Sequence, residues 1–476
     1  MFHVSFDTYI TLSDYTGDNM MEKHTNKSYR MDMTEGPLTS KIISFTIPVM
    51  LSAVLQLLFN TADVIVVGRF SGKTALAAVG STGALINMLI SLFMGLAIGT
   101  NVLVARYQGA KDNKAVSETV HTSIALGIVG GIILLIAGIF VTKPLLEMMA
   151  TPEDVIEQST LYMKIIFLGM PLSLVLNFGA AILRAVGDTK RPLYYLTVAG
   201  IVNVILNLFL VIVFHLGVAG VAIATVISQA VSCALIILCL KHETGSIRLY
   251  LNKIKITPDK CIDIMKIGLP AGLQGCIFSI SNVLIQSSVN SFGSTVMAGN
   301  TAASNIEGFV YVSMNSLHQT CISFTSQNFG AKKFKRIKLV LINCIVIVII
   351  TGLVLGNSAY FFGKYLLSAY NSEPEVINHG LTRLSIIATM YFLCGLMDVM
   401  VGAMRGIGYS ILPMIVSLIG ACGLRIVWIY TIFAQFRSLQ ILFISYPVTW
   451  TITFLSHLIC YYIVTRKYRD KFKESI

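Results

Sequence analysis

Residues 51–69, LSAVLQLLFNTADVIVVGR, form a long apolar run that carries a single acid, Asp63, near its outer end. About 20 apolar residues are enough for a helix to cross the hydrocarbon core of a bilayer. A carboxylate at membrane depth is costly, and ionisable residues there usually have a functional role. The stretch therefore predicts a membrane helix in which Asp63 has a functional role.

The whole chain has the composition of a polytopic membrane protein. Of its 476 residues, 55% are hydrophobic and 12% are charged, whereas soluble proteins carry about 25% charged residues. The net charge of +12 could suit nucleic acid, but Lys and Arg lie in loops between apolar runs. We therefore expect a lipid bilayer and no nucleic acid around this chain. The nine cysteines form no CxxC or Cys/His cluster, so we expect neither a disulfide framework nor a metal site.

The apolar runs predict an all-α integral membrane fold with twelve transmembrane helices. The predicted spans are 42–67, 78–104, 119–141, 160–183, 193–214, 217–240, 263–290, 297–325, 338–361, 381–404, 411–433 and 440–464. Lys and Arg are concentrated in alternate loops and in the C-terminal tail, Arg184 and Arg405 being counted among these loop residues. By the positive-inside rule, both termini of this multi-pass protein are predicted to lie on the cytoplasmic side of the cell membrane.

The chain also repeats itself. Pro48 matches Pro270 at an offset of 222, and RAVGD at Arg184–Asp188 matches RGIGY at Arg405–Tyr409 at an offset of 221. An offset sustained across six spans indicates a duplicated unit, and an even number of spans makes the two copies parallel. The predicted organisation is a flexible cytoplasmic segment at 1–35, an N-lobe at 36–240, a cytoplasmic linker at 241–262, a C-lobe at 263–466 and a basic cytoplasmic tail at 467–476.

Two six-helix lobes with a cleft between them are typical of an alternating-access transporter. A channel or a receptor is the alternative on architecture alone. The sequence contains no loop resembling a selectivity filter and no row of gating charges, which favours the transporter.

Polar residues of the first lobe are predicted to meet at one depth. Asp63 lies in the outer third of the first span, and Asn203 and Asn207 share one face of the fifth because they are four residues apart. Thr225 lies about 12 Å down the sixth span. An acid surrounded by amides and a hydroxyl could exchange a proton for a hydrogen bond, or hold a small cation. The alternative is that these groups only hold helices together.

Ionisable residues of the second lobe are harder to place. Glu307 and Arg425 lie near mid-membrane on the eighth and eleventh spans, where they could neutralise each other as an ion pair or line the cleft. Asp398 lies roughly 10 Å from the inner surface. Lys164 and Arg383 are near helix starts, and we interpret them as interfacial side chains that reach water.

Four stretches of this sequence resemble the multidrug and toxic compound extrusion (MATE) family. They are FNTADVIVVGRFSGKTALAAVG at 59–80, VLVARYQGAKD at 102–112, ILRAVGDTKRP at 182–192 and GVAGVAIATVISQ at 217–229. The resemblance extends over residues 36–466, and the motifs are specific in combination. The branch that the chain resembles most is the bacterial DinF-like one.

This resemblance implies an antiporter that exports mainly cationic drugs in exchange for H⁺ or Na⁺. Asp63 matches the family's coupling acid on the first span, and Thr225 matches a threonine on the sixth. The family's Asn-x-x-x-Asp on the fifth span maps onto Asn203 and Asn207, so its acid is an amide in this chain, and a family tyrosine is replaced by Phe59. One carboxylate is therefore expected where the family pattern has two.

The sodium-coupled branch of the family uses acids on the seventh and tenth spans. The seventh span here, GLPAGLQGCIFSISNVLIQ at 268–286, has no acid, and Asp398 lies about one turn nearer the R-x-x-G motif than that pattern implies. We therefore favour protons as the coupling ion, with Na⁺ as the alternative. Asp63, Asn203, Asn207 and Thr225 are the predicted coupling residues, and Glu307, Asp398 and Arg425 are candidates for cavity or coupling residues of the second lobe.

The predicted function is export of cationic and aromatic small molecules by a monomer that uses no cofactor beyond its coupling ion. The first alternative is a flippase for lipid-linked precursors, which should have a larger, basic central cavity. The second is a structural membrane protein, which would leave Asp63 facing no cavity. We expect no enzyme, because no phosphate-binding Gly loop, metal cluster or Ser/His/Asp set is present.

Overall fold

The computed structural model describes residues 29–149 and 151–473, and within these it contains helices and no strand. The helices are α1 (Leu38–Phe70), α2 (Gly72–Gly109), α3 (Asn113–Met148), α4 (Glu153–Leu168), α5 (Met170–Ala185), α6 (Lys190–Val213), α7 (Gly217–His242), α8 (Pro258–Asn290), α9 (Ser294–Gly330), α10 (Phe334–Phe361), α11 (Pro374–Ala388), α12 (Tyr391–Ile407), α13 (Ile411–Gln435) and α14 (Leu439–Lys473). Two short helical segments, Leu251–Lys253 and Gly363–Ser368, lie in connections.

These helices supply the twelve predicted spans. In the described part of the chain, nine helices are long and apolar enough to cross a membrane, and two bent pairs, α4 with α5 (49°) and α11 with α12 (42°), add one span each. The twelfth is α9, whose 37 residues include many buried Ser, Thr, Asn and Gln side chains. It is less apolar than the others because it lies inside the bundle. The prediction of an all-α membrane fold in two six-span lobes is confirmed.

The fourth and tenth spans begin earlier than predicted, at Glu153 and Pro374 rather than at 160 and 381. Their first turns are polar and were therefore not recognised as parts of a span. Acidic residues are nevertheless favourable in the first turn of a helix, and α4 begins with Glu153 and Asp154. Proline is favourable at the start of a helix as well, and Pro374 begins α11.

The two lobes, α1–α7 and α8–α14, contact each other through small residues. We call the end of the bundle where α2, α5, α7, α9 and α12 finish the basic end, because its loops carry most of the Lys and Arg. A Cβ on Gly95 of α2 would lie 2.2 Å from the backbone nitrogen of Gly272 in α8. Near the basic end, a Cβ on Gly330 would lie 1.8 Å from the carbonyl oxygen of Arg106. The lobes are thus in backbone contact over their basic halves, which only glycine permits.

The segment before α1 is packed against both lobes. Residues 1–28 lie outside the described residues, but residues 29–36, predicted as part of a flexible segment, have defined contacts, and we call them the strap. Arg30 of the strap forms an ion pair with Glu243, which follows α7 of the first lobe. Met33 is fully buried. Residues 29–36 therefore have a defined position between the lobes, and the flexibility of residues 1–35 stays a prediction.

Side chains of the second lobe bind the backbone of the strap. The N–H of Met33 donates to Oε1 of Gln327 at 2.7 Å, and its carbonyl accepts from Nδ2 of Asn328 at 3.1 Å. Met31 of the strap packs against Gly187 of the first lobe. A Cβ on Gly187 would lie 2.3 Å from the carbonyl oxygen of Met31. The strap therefore connects the two lobes across the basic end.

Candidate functional site

The four predicted coupling residues of the first lobe form one hydrogen-bonded ring. Asp63 accepts from Nδ2 of Asn207 through Oδ1 and from the hydroxyl of Thr225 through Oδ2, the latter at 3.3 Å. Asn207 also donates to Oδ1 of Asn203 at 3.2 Å, and Asn203 donates to Oγ1 of Thr225 at 3.4 Å. We call these four residues the polar ring. The structure thus brings together all four side chains that the sequence placed at a common depth.

Three helices of the first lobe hold the polar ring. Asn203 and Asn207 lie one turn apart on α6, so both amides point to the same side and face Asp63 on α1. The approach of α1 to α6 requires Gly200, because a Cβ there would lie 1.8 Å from Cε2 of Phe59. Phe59, which stands where the family pattern has a tyrosine, therefore packs against the α6 backbone one turn below Asp63.

The polar ring contains no positive charge. Asp63 is 9% exposed, and it forms no salt bridge with any side chain that the structure describes. Oδ1 of Asn207 is buried and has no hydrogen-bond partner in the same residues. The described part of the chain has no group of three His, Cys, Asp or Glu side chains suited to a metal ion. What the ring offers is one carboxylate and neutral oxygens, a set suited to a proton or a small cation.

The polar ring borders a cavity of about 280 Å³ between the lobes. Asp63, Asn203 and Thr225 line it from the first lobe. Asn315 and Gln319 of α9 line it from the second. A structural protein was expected to leave Asp63 facing no cavity, so this position favours the transporter interpretation.

Glu307 pairs with Arg383 and not with Arg425. Nη2 of Arg383 lies 2.8 Å from Oε2 of Glu307, and both side chains are almost completely buried. Nη1 of Arg383 donates to Oδ1 of Asn300 at 2.7 Å. The Glu307–Arg425 pair, one of the two alternatives for these residues, is wrong, and so is the interfacial placement of Arg383, because α11 begins at Pro374 and carries Arg383 well inside the lobe.

Arg425 is held by aromatic rings instead of an acid. Its guanidinium carbon lies 4.0 Å from the ring centre of Tyr446 and 5.8 Å from that of Trp450. Its Nε donates to Oγ1 of Thr449 at 3.3 Å. Lys164 is exposed, as an interfacial side chain should be.

Asp398 borders a second cavity, of about 180 Å³, on the second-lobe side. Its backbone carbonyl accepts a hydrogen bond from Nδ1 of His318 at 2.6 Å. Arg405, two turns further along α12, donates from Nη2 to Oε1 of Gln274 at 2.7 Å. Asp398 therefore lines a cavity together with two cations, Arg184 and Arg405, whereas Asp63 shares its cavity with Arg184 alone.

Arg184 and Arg405 were assigned to basic loops, but the structure places both on cavity walls, where Arg405 is buried and Arg184 is half-buried. Arg184 lines both cavities and Arg405 lines the second. Each lies in the last turns of its helix, and helical side chains point back toward the N-terminus, which here is away from the loop. Arg184 and Arg405 occupy equivalent positions in the two repeats, 221 residues apart. This equivalence was the signal in the sequence that could have identified them as cavity residues.

The family model MatE matches residues 48–209 and again residues 270–431. The chain belongs to the MatE family. The two matches begin 222 residues apart, which agrees with the internal repeat.

Two curated relatives and one solved structure illustrate the range of similarity within the MatE family. The chain is 29% identical over 420 residues to a Bacillus subtilis protein named "Probable multidrug resistance protein YoeA", a match over 86% of this chain and 90% of that one. It is 22% identical to a Shewanella oneidensis "FAD transporter", over 92% and 96% of the two chains. A crystal structure of a MATE protein in complex with MaL6 superimposes with a TM-score of 0.86 at 21% identity, over 94% of this chain and 100% of that one. This protein therefore has the fold of a MATE transporter along nearly its whole length.

Proposed function

We propose that this protein is a secondary active antiporter of the cell membrane, with both termini in the cytoplasm, that exports cationic and aromatic small molecules in exchange for protons by alternating access. Sodium is the alternative coupling ion. The observation that carries the proposal is the polar ring, an acid with neutral hydrogen-bond donors at the edge of the interlobe cavity. The names of relatives include a multidrug resistance protein and a transporter of FAD, so they support small organic substrates without fixing the substrate's charge.

The ring supports proton coupling because its two protonation states require different hydrogen bonds. An ionised Asp63 accepts from Asn207 and Thr225, as observed. A proton on Oδ1 turns that oxygen into a donor, and the Asn207 N–H that faces it then loses its preferred acceptor. Rotation of the Asn207 amide would present its unpartnered Oδ1 to the new proton. Protonation therefore favours a different arrangement of α1 against α6, which gives the two states that antiport needs.

Exchange follows from competition for one carboxylate. The ionised Asp63 attracts a cationic substrate into the cavity, and its protonation removes that attraction. In the outward-facing state, a proton from outside would neutralise Asp63 and release the substrate. In the inward-facing state, loss of the proton to the cytoplasm would restore the charge for the next substrate.

Efflux from proteoliposomes tests this proposal. Purified protein is reconstituted, and export of a fluorescent organic cation is followed under a pH gradient and, separately, under a Na⁺ gradient. Asp63→Asn keeps the size of the side chain but cannot ionise, so we expect it to abolish efflux driven by the pH gradient. Asp398→Asn is the matched control from the other lobe, and we expect it to retain that efflux.

Undiminished pH-driven efflux by Asp63→Asn would refute the role of Asp63. Loss of coupling in Asp398→Asn alone would move the coupling site to the second lobe. Efflux that responds to Na⁺ and not to pH would replace the proton by sodium.

The runner-up is a flippase for lipid-linked precursors, and the two arginines that line the cavities are the observation that favours it. Arg184 and Arg405 give the cavities a basic component that the loop assignment had not predicted. Asp63 and Asp398 line the same cavities and balance these charges. A balanced cavity is better suited to small amphipathic compounds than to a diphosphate headgroup.

A further inference from the structure

The second lobe binds the strap with seven hydrogen bonds, six of which go to the backbone of the strap. Two amide side chains of α9 bind the N–H and the carbonyl of Met33. Arg336 donates to three strap carbonyls at 3.2, 2.9 and 2.9 Å. Lys333 donates to a fourth strap carbonyl and to the carboxylate of Glu35, both at 3.1 Å. The strap is therefore anchored to the second lobe along most of its length.

The first turns of α1, which follow the strap, are bound to the second lobe as well. The hydroxyl of Thr39 donates to Oδ1 of Asn343 in α10 at 2.5 Å. The hydroxyls of Thr46 and Thr320 lie 2.9 Å apart. Further along, α1 carries Asp63 into the polar ring of the first lobe. The strap and the first turns of α1 therefore belong to the second lobe by their contacts, although α1 belongs to the first repeat.

The other repeat has the same arrangement with the lobes exchanged. The offset of 222 carries the strap onto residues 251–258, the end of the linker that precedes α8. In that segment the N–H of Thr257 donates to Oγ1 of Thr122 at 3.1 Å, and Thr122 donates to the carbonyl of Lys255 at 3.5 Å. Thr122 lies on α3 of the first lobe. Docking on the opposite lobe is thus a feature of both repeats, and the contacts of the strap with the first lobe need a separate explanation.

The contacts of the strap with the first lobe are concentrated in its first three residues. Arg30 forms the ion pair with Glu243 and donates to the carbonyl of Thr244 at 2.6 Å. The ring of Tyr29 lies 5.3 Å from the guanidinium carbon of Arg191. The side chain of Arg30 is 26% exposed, so water can replace its partners. These contacts bridge from a segment held by the second lobe to the first lobe, at the end where the backbones of the two lobes touch.

We propose that the strap is a latch across the basic end: it stays bound to the second lobe throughout the transport cycle, and its contact with Glu243 breaks each time the cleft opens at that end. The latched state is the one in which the basic end is closed. An interaction made in only one of two states raises the population of that state. The inference rests on the proposed function, because alternating access requires the basic end to open.

The strap has one ion pair with each lobe, and these two pairs provide a matched test. Arg30→Cys with Glu243→Cys joins the strap to the first lobe, and Glu35→Cys with Lys333→Cys joins it to the second. A bismaleimide with a disulfide in its spacer forms each crosslink, and a reductant cleaves it. The four native cysteines that are not buried are replaced by serine in the full-length protein. Efflux of a fluorescent organic cation from proteoliposomes under a pH gradient is measured before crosslinking, after it and after reduction.

We expect the crosslink to the first lobe to stop efflux and reduction to restore it. The crosslink to the second lobe should leave the rate of efflux unchanged, because the strap does not leave that lobe. The four single-cysteine variants, treated in the same way, should also keep their rate. Continued efflux by protein crosslinked to the first lobe, or arrest by the crosslink to the second lobe, would overturn the latch.

A second measurement reads the opening of the basic end without transport. Spin labels at Lys111→Cys and Lys332→Cys, exposed and at equivalent positions in the two repeats, report the distance between the lobes by electron paramagnetic resonance. Glu243→Gln should raise the population with the longer distance by about fivefold at most, the effect of one partly exposed ion pair. Glu35→Gln is the matched control and should leave the populations unchanged, because the six backbone hydrogen bonds remain.

No increase in Glu243→Gln, or an equal increase in Glu35→Gln, would overturn the latch. Failure of the proposed antiport has a different signature. In that case the uncrosslinked protein would show no efflux under either a pH gradient or a Na⁺ gradient, while the distance between the labels would still respond to Glu243→Gln and not to Glu35→Gln.

Discussion

The two lobes share a helical plan and differ in how they treat a buried acid. In the first lobe Asp63 is surrounded by two amides and a hydroxyl. In the second lobe Glu307 is neutralised by Arg383. A carboxylate with neutral partners can change its protonation state at the cost of a few hydrogen bonds. A carboxylate with a buried guanidinium is stabilised as an ion and serves to hold the helices together.

The internal repeat shows that the polar ring was not kept in both copies. The offset of 222 carries Asp63 onto Ile285, which is 3% exposed in an apolar cluster. The offset of 221 carries Asn207 onto Trp428, whose indole N–H donates to a backbone carbonyl. The duplication therefore preserved the path of the backbone, while the chemistry of the two lobes diverged. Function in this fold has to be assigned one lobe at a time.

The largest effect that would test this contrast is expected from Glu307→Gln. The substitution leaves Arg383 buried without its acid and should lower the free energy of unfolding by about 3–5 kcal/mol. The measurement is denaturant unfolding of the protein in detergent micelles. Combining Glu307→Gln with Arg383→Met should recover part of the loss, and protein that folds should keep proton-coupled efflux. An unchanged stability, or loss of coupling with normal folding, would show that the pair is not structural.

Placing an acid at the equivalent position of the second lobe should have the next largest effect. Ile285→Asp puts a carboxylate into an apolar cluster that lacks the amides of the first lobe. The expected loss is about 3 kcal/mol, the cost of an acid at the centre of a membrane helix. Ile285→Leu should cost less than about 1.5 kcal/mol. Equal stability of the two variants would mean that the second lobe can accommodate an acid as the first does.

Two threonines, one in each lobe, provide a matched comparison, for which we expect smaller changes in the free energy of unfolding. Thr225 donates to Asp63, and Thr449 accepts from Arg425, each at 3.3 Å. Replacement of either by Val removes a hydroxyl that takes part in three hydrogen bonds and should lower the free energy of unfolding by about 1–2 kcal/mol. Dye efflux under a pH gradient should fall in Thr225→Val and stay unchanged in Thr449→Val. Equal efflux by the two variants would contradict a special role of the first lobe.

The smallest expected effect lies outside both polar centres, in the strap. Burial opposes ionisation of Glu243, but hydrogen bonds and charges from Arg30 and Arg191 hold the pKa of this carboxyl below its usual range. Its contribution to docking of the strap is therefore complete above the ordinary glutamate pKa of about 4.3 and is lost as the pH falls through the lowered value. Such a partly exposed pair contributes about 1 kcal/mol at most.

Hydrogen exchange of residues 29–36 between pH 3 and pH 7 measures this contribution. Protection should decrease, relative to the intrinsic exchange rate, as the pH approaches 3 in the wild type. Glu243→Gln should be less protected at pH 7 and should depend less on pH. The remaining dependence comes from Asp32 of the strap, where burial opposes ionisation but hydrogen bonds from Thr34 hold the pKa of the carboxyl below its usual range. A transition near neutral pH would assign the titration to a different group.

The polar ring was predictable from the sequence because its geometry is local to regular helices. Asn203 and Asn207 share a face by spacing alone, and the depths of Asp63 and Thr225 follow from counting residues along their spans. Apolar runs on both sides fix where these helices lie in the membrane. No knowledge of the packing between helices was needed to infer that the four side chains meet.

The second lobe could not be predicted in this way, because its spans do not begin where their apolar runs begin. The polar first turns of α11 hid its start at Pro374, so Arg383 was assigned to the membrane surface, and Glu307 was paired with Arg425 by depth. Arg184 was assigned to a loop because its sequence neighbours are loop residues. The direction of its side chain depends on the helix that carries it.

The strap joins residues that are made at very different times. The polar ring contains no residue later than Thr225, so the ribosome has supplied all of it before the second lobe exists. Met33 is bound by Gln327, 294 residues further along the chain. At a synthesis rate of about 5–20 residues per second, the strap waits about 15–60 s for its partner. The first lobe can therefore assemble its polar ring, and receive Arg30 of the strap at Glu243, before the contacts of the strap with the second lobe exist.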